Sequence, residues 1–298
     1  MPSLKDLKIR INSVKSTQKI TSAMKMVAAA KLRRAQEQAE AARPYSERMD
    51  RMIASLADNS SGFGGPRLLA GTAAYTTHML VVMTADRGLC GGFNSSINRD
   101  TTRYVQNLEK EGKKVELITI GKKSRDFFNR IMKDKIIENY VDLGATGAGY
   151  DTALQISNKV QNLFFEGKFD VCIIIYNKFV SAITQEVTHN QLIPLNIKTS
   201  EKKEEDSDNE KKDTSIYTYE PDEASILKDL LPKNVSIQIF KVLLESNAGE
   251  QGARMAAMDN ATRNAGEMID NLTLKYNRTR QAFITKELIE IISGAESV

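Results

Sequence analysis

The sequence predicts a mixed α/β protein in which two long terminal helices enclose an inserted α/β unit. The chain has 298 residues, which is enough for two domains of average size. Helix breakers are sparse at both ends, since Pro44 is the only one between residues 3 and 61 and no proline follows residue 232. Clustered glycines and short β-branched runs in between are typical of alternating strands and helices. The predicted units are therefore 1–61, 62–221 and 222–298.

The carboxy-terminal arm carries the clearest periodicity in the chain. Twelve positions follow one another at alternating steps of four and three, and nine of them are apolar: Leu244, Ala248, Gln251, Met255, Met258, Thr262, Ala265, Ile269, Leu272, Tyr276, Thr279 and Phe283. A heptad pattern sustained over forty residues is typical of a coiled coil. We therefore expect one face of this arm to be buried against a second helix.

The amino-terminal arm offers a weaker apolar stripe to pair with it. Thr17 and Gln18 interrupt this stripe, which consists of Leu4, Leu7, Ile11, Val14, Ile20, Met24 and Val27. Two arms at opposite ends of one chain pair most simply with each other, which makes an antiparallel coiled coil. A parallel homodimeric coiled coil is the alternative that the pattern leaves open.

The middle unit alternates between predicted strands and helices. In chain order these are a strand at Met79–Thr84, a helix at Ser95–Glu111, a strand at Val115–Ile120, helices at Lys122–Lys133 and Asp151–Phe165, a strand at Val171–Tyr176 and an edge segment at Val180–Val187. Such alternation predicts a mainly parallel sheet. Residues 201–213 differ, because eleven of the thirteen are charged. This segment is expected to be a solvated loop.

The positive charge of the chain is concentrated in its first helix. Residues 1–43 contain ten Lys and Arg against three acidic residues, whereas the whole chain has a formal net charge of +4. Organellar transit peptides share this composition, but we favour a helix of the mature fold. Nucleic acid or anionic lipid could bind it, although no aromatic residue precedes Pro44 to stack on bases. The remaining interpretation is a cationic helix that rests or rotates against an acidic protein surface.

No catalytic, cofactor or metal site is predicted. The glycine-rich loop in residues 79–94 matches no phosphate-binding spacing, so Gly88, Gly91 and Gly92 are interpreted as turn residues. Only two histidines are present, and neither has a second metal ligand at helical spacing. Cys172 lies in an apolar run and is expected in the core, whereas Cys90 lies in the glycine-rich loop, where a thiol can be accessible. An α/β phosphate-binding enzyme is therefore the weaker alternative.

The last segment of the chain is apolar around much of its helix. Leu288, Ile289, Ile291 and Ile292 point in widely different directions at 100° per residue. One partner helix covers only one side of this helix. The pattern therefore predicts that another protein surrounds the end of the helix as a sleeve. A frayed or self-associating end is the alternative.

Four segments carry a family resemblance. Residues Leu4–Gln36, Thr84–Asn94, Glu250–Ile269 and Arg280–Glu296 resemble, in this order, the γ subunits of rotary F-type ATP synthases. The resemblance implies a fold in which the terminal helices form a long antiparallel coiled coil, with a Rossmann-like α/β domain inserted between them. It also implies a central-stalk rotor that couples proton-driven rotation of the c-ring to conformational changes in the catalytic β subunits.

The same resemblance implies partners and contact residues. One copy would assemble with the hexameric ring of α and β subunits, an ε-type subunit and the c-ring, without nucleic acid, cofactor or a catalytic site of its own. The location implied is the cytoplasmic face of the bacterial inner membrane, or alternatively the matrix face of the mitochondrial inner membrane. The motif match assigns contact with β to Met24, Lys25, Arg254, Met255, Arg280, Gln281, Thr285, Glu287 and Glu290, and the apolar bearing tip to Leu288, Ile289, Ile291 and Ile292.

Overall fold

The computed structural model describes residues 3–59, 66–72, 74–142, 149–182, 184–195 and 223–296. The charged segment 201–213 lies outside the described residues. In chain order the elements are α1 (Leu4–Asn59), α2 (Arg67–Ala70), β1 (Thr77–Met83), α3 (Phe93–Lys110), β2 (Lys114–Ile120), α4 (Lys122–Ile131), a 3₁₀ turn (Lys133–Lys135), β3 (Ile136–Tyr140), α5 (Tyr150–Phe165), β4 (Val171–Phe179), β5 (Gln185–Ile193) and α6 (Glu223–Glu296).

The five strands form one sheet with the order β3-β2-β1-β4-β5. The pairs β1–β2, β1–β4 and β2–β3 are parallel, while β5 runs antiparallel to β4 at the edge. The mainly parallel sheet is therefore confirmed. Helical crossovers between parallel strands place α3 and α4 on one face and α5 on the other.

Two strands differ from the sequence prediction. Strand β3 was not predicted, because Ile136–Tyr140 lies at the sheet edge and alternates between exposed and half-buried residues instead of forming an apolar run. The edge strand predicted at Val180–Val187 instead spans Gln185–Ile193. Val180 and Ser181 form the hairpin turn, where both backbone amides donate to the carbonyl oxygen of Thr184. Hairpin geometry thus delays the start of the strand.

The core lies on both faces of the central strand. Along β1, Met79, Val81 and Met83 pack with α5 and with the ends of α1 and α6 nearest the sheet, whereas Leu80 and Val82 pack with α3 and α4. Alternation along a pleated strand produces this division. The first turns of α6 therefore belong to the sheet core, in which Leu227, Leu231, Val235 and Ile239 are fully buried.

Helices α1 and α6 pair antiparallel within the chain. Lys25 Nζ lies 2.6 Å from Asp259 Oδ1, and Thr262 Oγ1 lies 2.8 Å from Thr21 Oγ1. Residue numbers therefore rise along one helix as they fall along the other. The antiparallel intramolecular coiled coil is confirmed.

The predicted seam of α6 is confirmed as far as Thr279. Its positions from Leu244 to Thr279 are buried or half-buried, but Phe283 is 51% exposed. The stripe predicted on α1 was wrong at Ile20 and Val27, which are 57% and 56% exposed.

The steps of four and three that begin at Leu7, Ile11 and Val14 continue instead through polar and small residues. Half-buried Gln18 and buried Thr21 and Ala28 occupy the interface of α1 with α6. Ile20 lies two positions beyond Gln18 and therefore on the opposite side of the helix. Helix geometry thus outweighs side-chain hydrophobicity at these positions.

Glycines on α6 allow the coiled coil to lie against the α/β domain. A Cβ at Gly249 would lie 3.3 Å from the carbonyl oxygen of Asn177, and one at Gly252 would lie 3.2 Å from the ring of Phe179. Both neighbours belong to β4. The absence of a Cβ therefore brings the helix backbone close to the end of this strand.

We expect Gly121→Ala to destabilise the α/β domain strongly. Gly121 has a φ of +94°, and a Cβ there would lie 2.2 Å from the carbonyl oxygen of Thr84. Backbone strain and this clash together should cost at least about 3 kcal/mol of unfolding free energy. Urea denaturation of the purified chain measures the change.

Gly112→Ala is the matched control. Gly112 also has a positive φ, of +76°, but a Cβ there meets nothing within 4 Å. The free energy of unfolding should fall by only about 1 kcal/mol, since only backbone strain is added. Equal losses in the two variants would contradict the importance of the contact with Thr84.

Candidate functional site

Helix α6 continues well beyond the end of α1. Because Lys25 faces Asp259 and Thr21 faces Thr262, Leu4 at the start of α1 lies opposite a position near Arg280. Among the described residues, no other helix therefore lies beside the rest of α6, from Gln281 to Glu296. At 1.5 Å per residue this free end is about 24 Å long.

The free end carries a dense group of exposed apolar side chains. Each is between 48% and 67% exposed: Phe283, Ile284, Leu288, Ile289, Ile291 and Ile292. These side chains spread over most of the circumference of the helix, and Lys286 and Glu290 occupy the remaining sector. An apolar surface of this kind usually marks an interaction site with another protein. Ile284 was missed in the sequence because it lies one residue outside the heptad seam.

The predicted polar contact residues lie at the base of this apolar tip and between its apolar residues. Arg280, Gln281, Thr285, Glu287 and Glu290 are all exposed. The Thr285 hydroxyl donates to the backbone carbonyl of Gln281 at 3.0 Å, and Lys286 Nζ lies 3.5 Å from Glu290 Oε1. Within the described ranges, no hydrogen bond or ion pair engages the side chains of Arg280, Gln281 and Glu287. These three side chains are therefore available to a partner.

Met24 and Lys25 lie lower on the coiled coil, where Lys25 binds Asp259 of the facing helix. The hydrogen bond from Lys25 and its positive charge lower the pKa of the Asp259 carboxyl. The Lys25 side chain is still 46% exposed, and Met24 is half-buried. A partner at this height would meet an ion pair that is already formed.

Arg254 and Met255 are engaged by the chain itself. The Arg254 guanidinium lies 2.7 Å from Glu250 Oε1 and donates to the carbonyl oxygen of Gly88 at 3.4 Å, leaving its side chain 13% exposed. Met255 packs against the cluster formed by Leu32, Ala35 and Ala248. The structure thus places both residues where the coiled coil meets the α/β domain.

Glu250 and Gly88 are the partners that sequence reasoning missed. Glu250 lies four residues before Arg254 on the same helix, and such i,i+4 spacing favours an ion pair. Contact with Gly88 could not be found from spacing, because 166 residues separate it from Arg254. This contact attaches the glycine-rich loop to the coiled coil.

The glycine-rich loop makes its described contacts with its own chain. Gly91 adopts a φ of +57°, and a Cβ there would lie 3.8 Å from the methyl group of Ala257 on α6. Asn94 Oδ1 accepts a hydrogen bond from the backbone amide of Ala85. The interpretation of these glycines as turn residues agrees with this packing.

Neither cysteine is accessible. The expectation for Cys90 was wrong, because its side chain is buried between the loop and α6, and burial raises the pKa of its thiol. Asn94 Nδ2 approaches its sulfur at 3.1 Å. Cys172 is buried in β4 as predicted, and burial raises its pKa as well.

Metal ligands are not clustered in the part of the chain that the structure describes. His78 is buried in β1, and burial lowers its pKa, whereas His189 on β5 lies 2.5 Å from Asp100 on α3. No group of three or more His, Cys, Asp or Glu residues there could hold a metal ion. The described helices also include none with the length and hydropathy needed to cross a bilayer.

Comparison with known proteins identifies the family. A family model described as ATP synthase matches residues 3–298. The ATP synthase gamma chains of Rhodospirillum rubrum and Rhizobium etli are each 56% identical to this chain over 299 residues, with full coverage of both proteins.

Solved structures give the same result for the fold. A chain from the central stalk and c-ring structure of Tetrahymena thermophila mitochondrial ATP synthase is 28% identical, with a TM-score of 0.61 and coverage of 81% of this chain and 99% of that one. A chain from the rotor of Euglena gracilis mitochondrial ATP synthase has a TM-score of 0.67 at 18% identity, covering 94% and 98%. On this evidence, the chain belongs to the γ-chain family of the ATP synthases.

Proposed function

We propose that this chain is the central-stalk rotor subunit of a proton-driven ATP synthase. In this role it couples rotation of the c-ring to conformational changes in the catalytic β subunits. Its family membership supports the proposal, as do the named assemblies of its structural relatives, which include a central stalk with a c-ring and a rotor. The observation that carries it is the apolar free end of α6.

The free end fits the inside of a ring of subunits. Exposed Ile289 and Ile291 lie on opposite sides of the helix, so one flat partner surface cannot cover both. A hexameric ring of α and β subunits would surround the helix and remove this surface from water. Burial of apolar surface would then hold the helix without fixing its rotational angle.

Coupling requires contacts that depend on that angle. Arg280, Gln281 and Thr285 lie at the base of the free end, where they could form hydrogen bonds with a loop of one β subunit at a time. Glu287 and Glu290 would extend this contact, while Met24, Lys25, Arg254 and Met255 would act lower on the shaft. A contact made with one of three β subunits favours one conformation over the others, which is what coupling needs.

The α/β domain would lie outside the ring, against an ε-type subunit and the c-ring. We assign catalysis to β and no catalytic site or cofactor to this chain, since its buried polar contacts join its own elements. One copy per complex would suffice, because the coiled coil is completed within one chain. The two gamma chains that are 56% identical to this chain are bacterial, which favours the cytoplasmic face of the bacterial inner membrane.

Co-expression with α and β subunits tests the proposal most directly. The chain should co-purify with both in one complex, and ATP hydrolysis by that complex should drive its rotation. Recovery of a stable α and β ring from which the chain is absent would overturn the proposal.

We expect Ile289→Asp with Ile292→Asp to weaken assembly while leaving the isolated chain folded. Both side chains are 58% exposed, so the melting temperature of the free chain should change little. Inside the ring the same charges would enter an apolar sleeve at a cost of several kcal/mol. Gel filtration of the co-expressed subunits measures the complex.

Ile11→Asp is the matched control for this pair. Ile11 is 9% exposed in the coiled coil, so a charge there should unfold part of the free chain itself. If the tip variant assembled as well as the parent chain, the sleeve would be ruled out.

We expect Arg280→Ala with Gln281→Ala to slow ATP turnover without preventing assembly. A charge-assisted hydrogen-bonded contact contributes about 1.5–3 kcal/mol, so its loss should reduce the rate roughly tenfold or more. ATP synthesis and hydrolysis are measured per assembled complex. Arg263→Ala is a control on the same helix, since Arg263 is exposed and its side chain donates a hydrogen bond to Asn260 on the same helix. Parent rates in both directions would show that Arg280 and Gln281 are solvated shaft residues.

The free chain should bind ATP weakly and hydrolyse none. Its glycine-rich loop packs against α6 through Gly91 and Ala257 and through Gly88 and Arg254, so its backbone amides are not arranged around a phosphate. Calorimetry of the chain purified without α and β subunits tests this. Micromolar affinity would contradict the assignment of nucleotide binding to other subunits.

A further inference from the structure

A basic groove lies between α3 and α4 on the outer surface of the α/β domain. It has a volume of about 650 Å³, and four cationic side chains line it: Arg99, Arg103, Lys123 and Arg130. All four are exposed, and none has an ion-pair partner among the described residues. The one acidic residue in the groove, Asp126, is already paired with Arg125 at 2.8 Å. The groove therefore carries unneutralised positive charge.

A buried polar atom in the wall of the groove lacks a partner. Asn98 is 6% exposed, and its Oδ1 accepts no hydrogen bond within the described structure. Its Nδ2 points to the backbone carbonyl of Lys123 at 3.4 Å, which fixes the orientation of the amide. A buried acceptor left unsatisfied costs about 1–3 kcal/mol. An occupant that donates a hydrogen bond to this oxygen would remove that cost.

We propose that this groove binds an extended acidic segment of a partner protein. Its wall from Asn94 to Gln106 on α3 is about 18 Å long, which accommodates five or six residues of an extended chain. Carboxylates of the segment would pair with Arg99 and Arg103 on one wall and with Lys123 and Arg130 on the other. A backbone N–H of the segment would donate to Asn98 Oδ1.

Two features favour a peptide over a phosphate or a lipid headgroup. The ring of Phe127 is 38% exposed among the cations and needs an apolar side chain to cover it. Asn98 Oδ1 needs a donor, which a fully ionised phosphate lacks. A peptide with alternating acidic and apolar residues supplies carboxylates, apolar side chains and amide donors together.

The groove is accessible while the coiled coil is occupied. Helices α3 and α4 cover one face of the sheet, and α5 with α1 and α6 covers the other. A ring of subunits around the free end of α6 would therefore leave the groove open. The proposal does not depend on the rotor function, since it rests on the α/β domain alone.

The test is fluorescence anisotropy with the full chain and a labelled seven-residue peptide of alternating Glu and Leu. The chain should bind this peptide, and the matched Gln and Leu peptide should bind at least tenfold more weakly. Arg99→Gln with Arg103→Gln should weaken binding of the acidic peptide at least tenfold, because two charge-assisted contacts are lost. Asn98→Leu should weaken it about fivefold while the chain stays folded.

Lys110→Gln with Lys133→Gln is the matched control, since both lysines are exposed near the same helices but outside the groove. This variant should bind the acidic peptide within twofold of the parent chain. Equal losses in the two double variants would overturn the proposal, because general electrostatic attraction would then explain the binding.

Inorganic pyrophosphate and phosphatidylglycerol vesicles distinguish the other anions. Neither should compete with the peptide at concentrations where the peptide saturates the chain. Competition by pyrophosphate that Arg99→Gln with Arg103→Gln abolishes would show a phosphate site instead, and the same result with vesicles would show a lipid surface. Either result, or no peptide binding at all, would overturn the proposal.

Discussion

The antiparallel pairing of α1 with α6 determines how the other elements are arranged. Each helix extends far beyond the core of the α/β domain. Most of the stability of a helix in water comes from tertiary packing, so neither helix would be stable alone. The pairing also brings together the two ends of the α/β domain, because this domain is inserted between α1 and α6. Met49 and Ile53 of α1 and Leu227 of α6 consequently lie in one core with the sheet. The shaft and the domain are thus stabilised together.

Attachment of the domain to the shaft depends on small residues and one clamped charge. Gly249 and Gly252 bring α6 against the end of β4, and Arg254 joins Glu250 to the glycine-rich loop. Arg254 is largely desolvated there, so removing Glu250 alone would leave a buried charge without its partner. A domain held by such directional contacts cannot rotate freely about the helix. Movement of the domain is therefore passed to the coiled coil as a whole.

Sequence patterns predicted the parts of this fold that depend on local periodicity. The heptad seam of α6 repeats regularly, so its buried face was predicted correctly as far as Thr279, and the apolar runs of β1, β2 and β4 were predicted as strands. Strand β3 and the start of β5 depend instead on backbone pairing and on the hairpin turn at Val180 and Ser181, which carry no strong side-chain pattern. The prediction of the buried stripe on α1 was wrong at Ile20 and Val27, because the register of α1 against α6 decides which side of the helix is buried. The contact of Arg254 with Gly88 was beyond sequence reasoning for the same reason, since Gly88 comes from a distant loop, whereas Glu250 has the i,i+4 spacing of an ion pair.

The free end of α6 separates two physical tasks along one helix. Apolar contact is non-directional, so a tip with Ile289 and Ile291 on opposite sides can be held with similar energy at many rotational angles. Hydrogen bonds are directional, so in the proposed role Arg280 and Gln281 at the base of the tip would favour only certain angles. If polar residues covered the tip, each angle would make and break strong contacts and rotation would meet high barriers. If apolar residues replaced the base, no angle would be preferred and no subunit would be selected. The apolar residues at the end of α6 therefore suit retention of the shaft, and the polar residues just before them suit the selection of one subunit at a given angle.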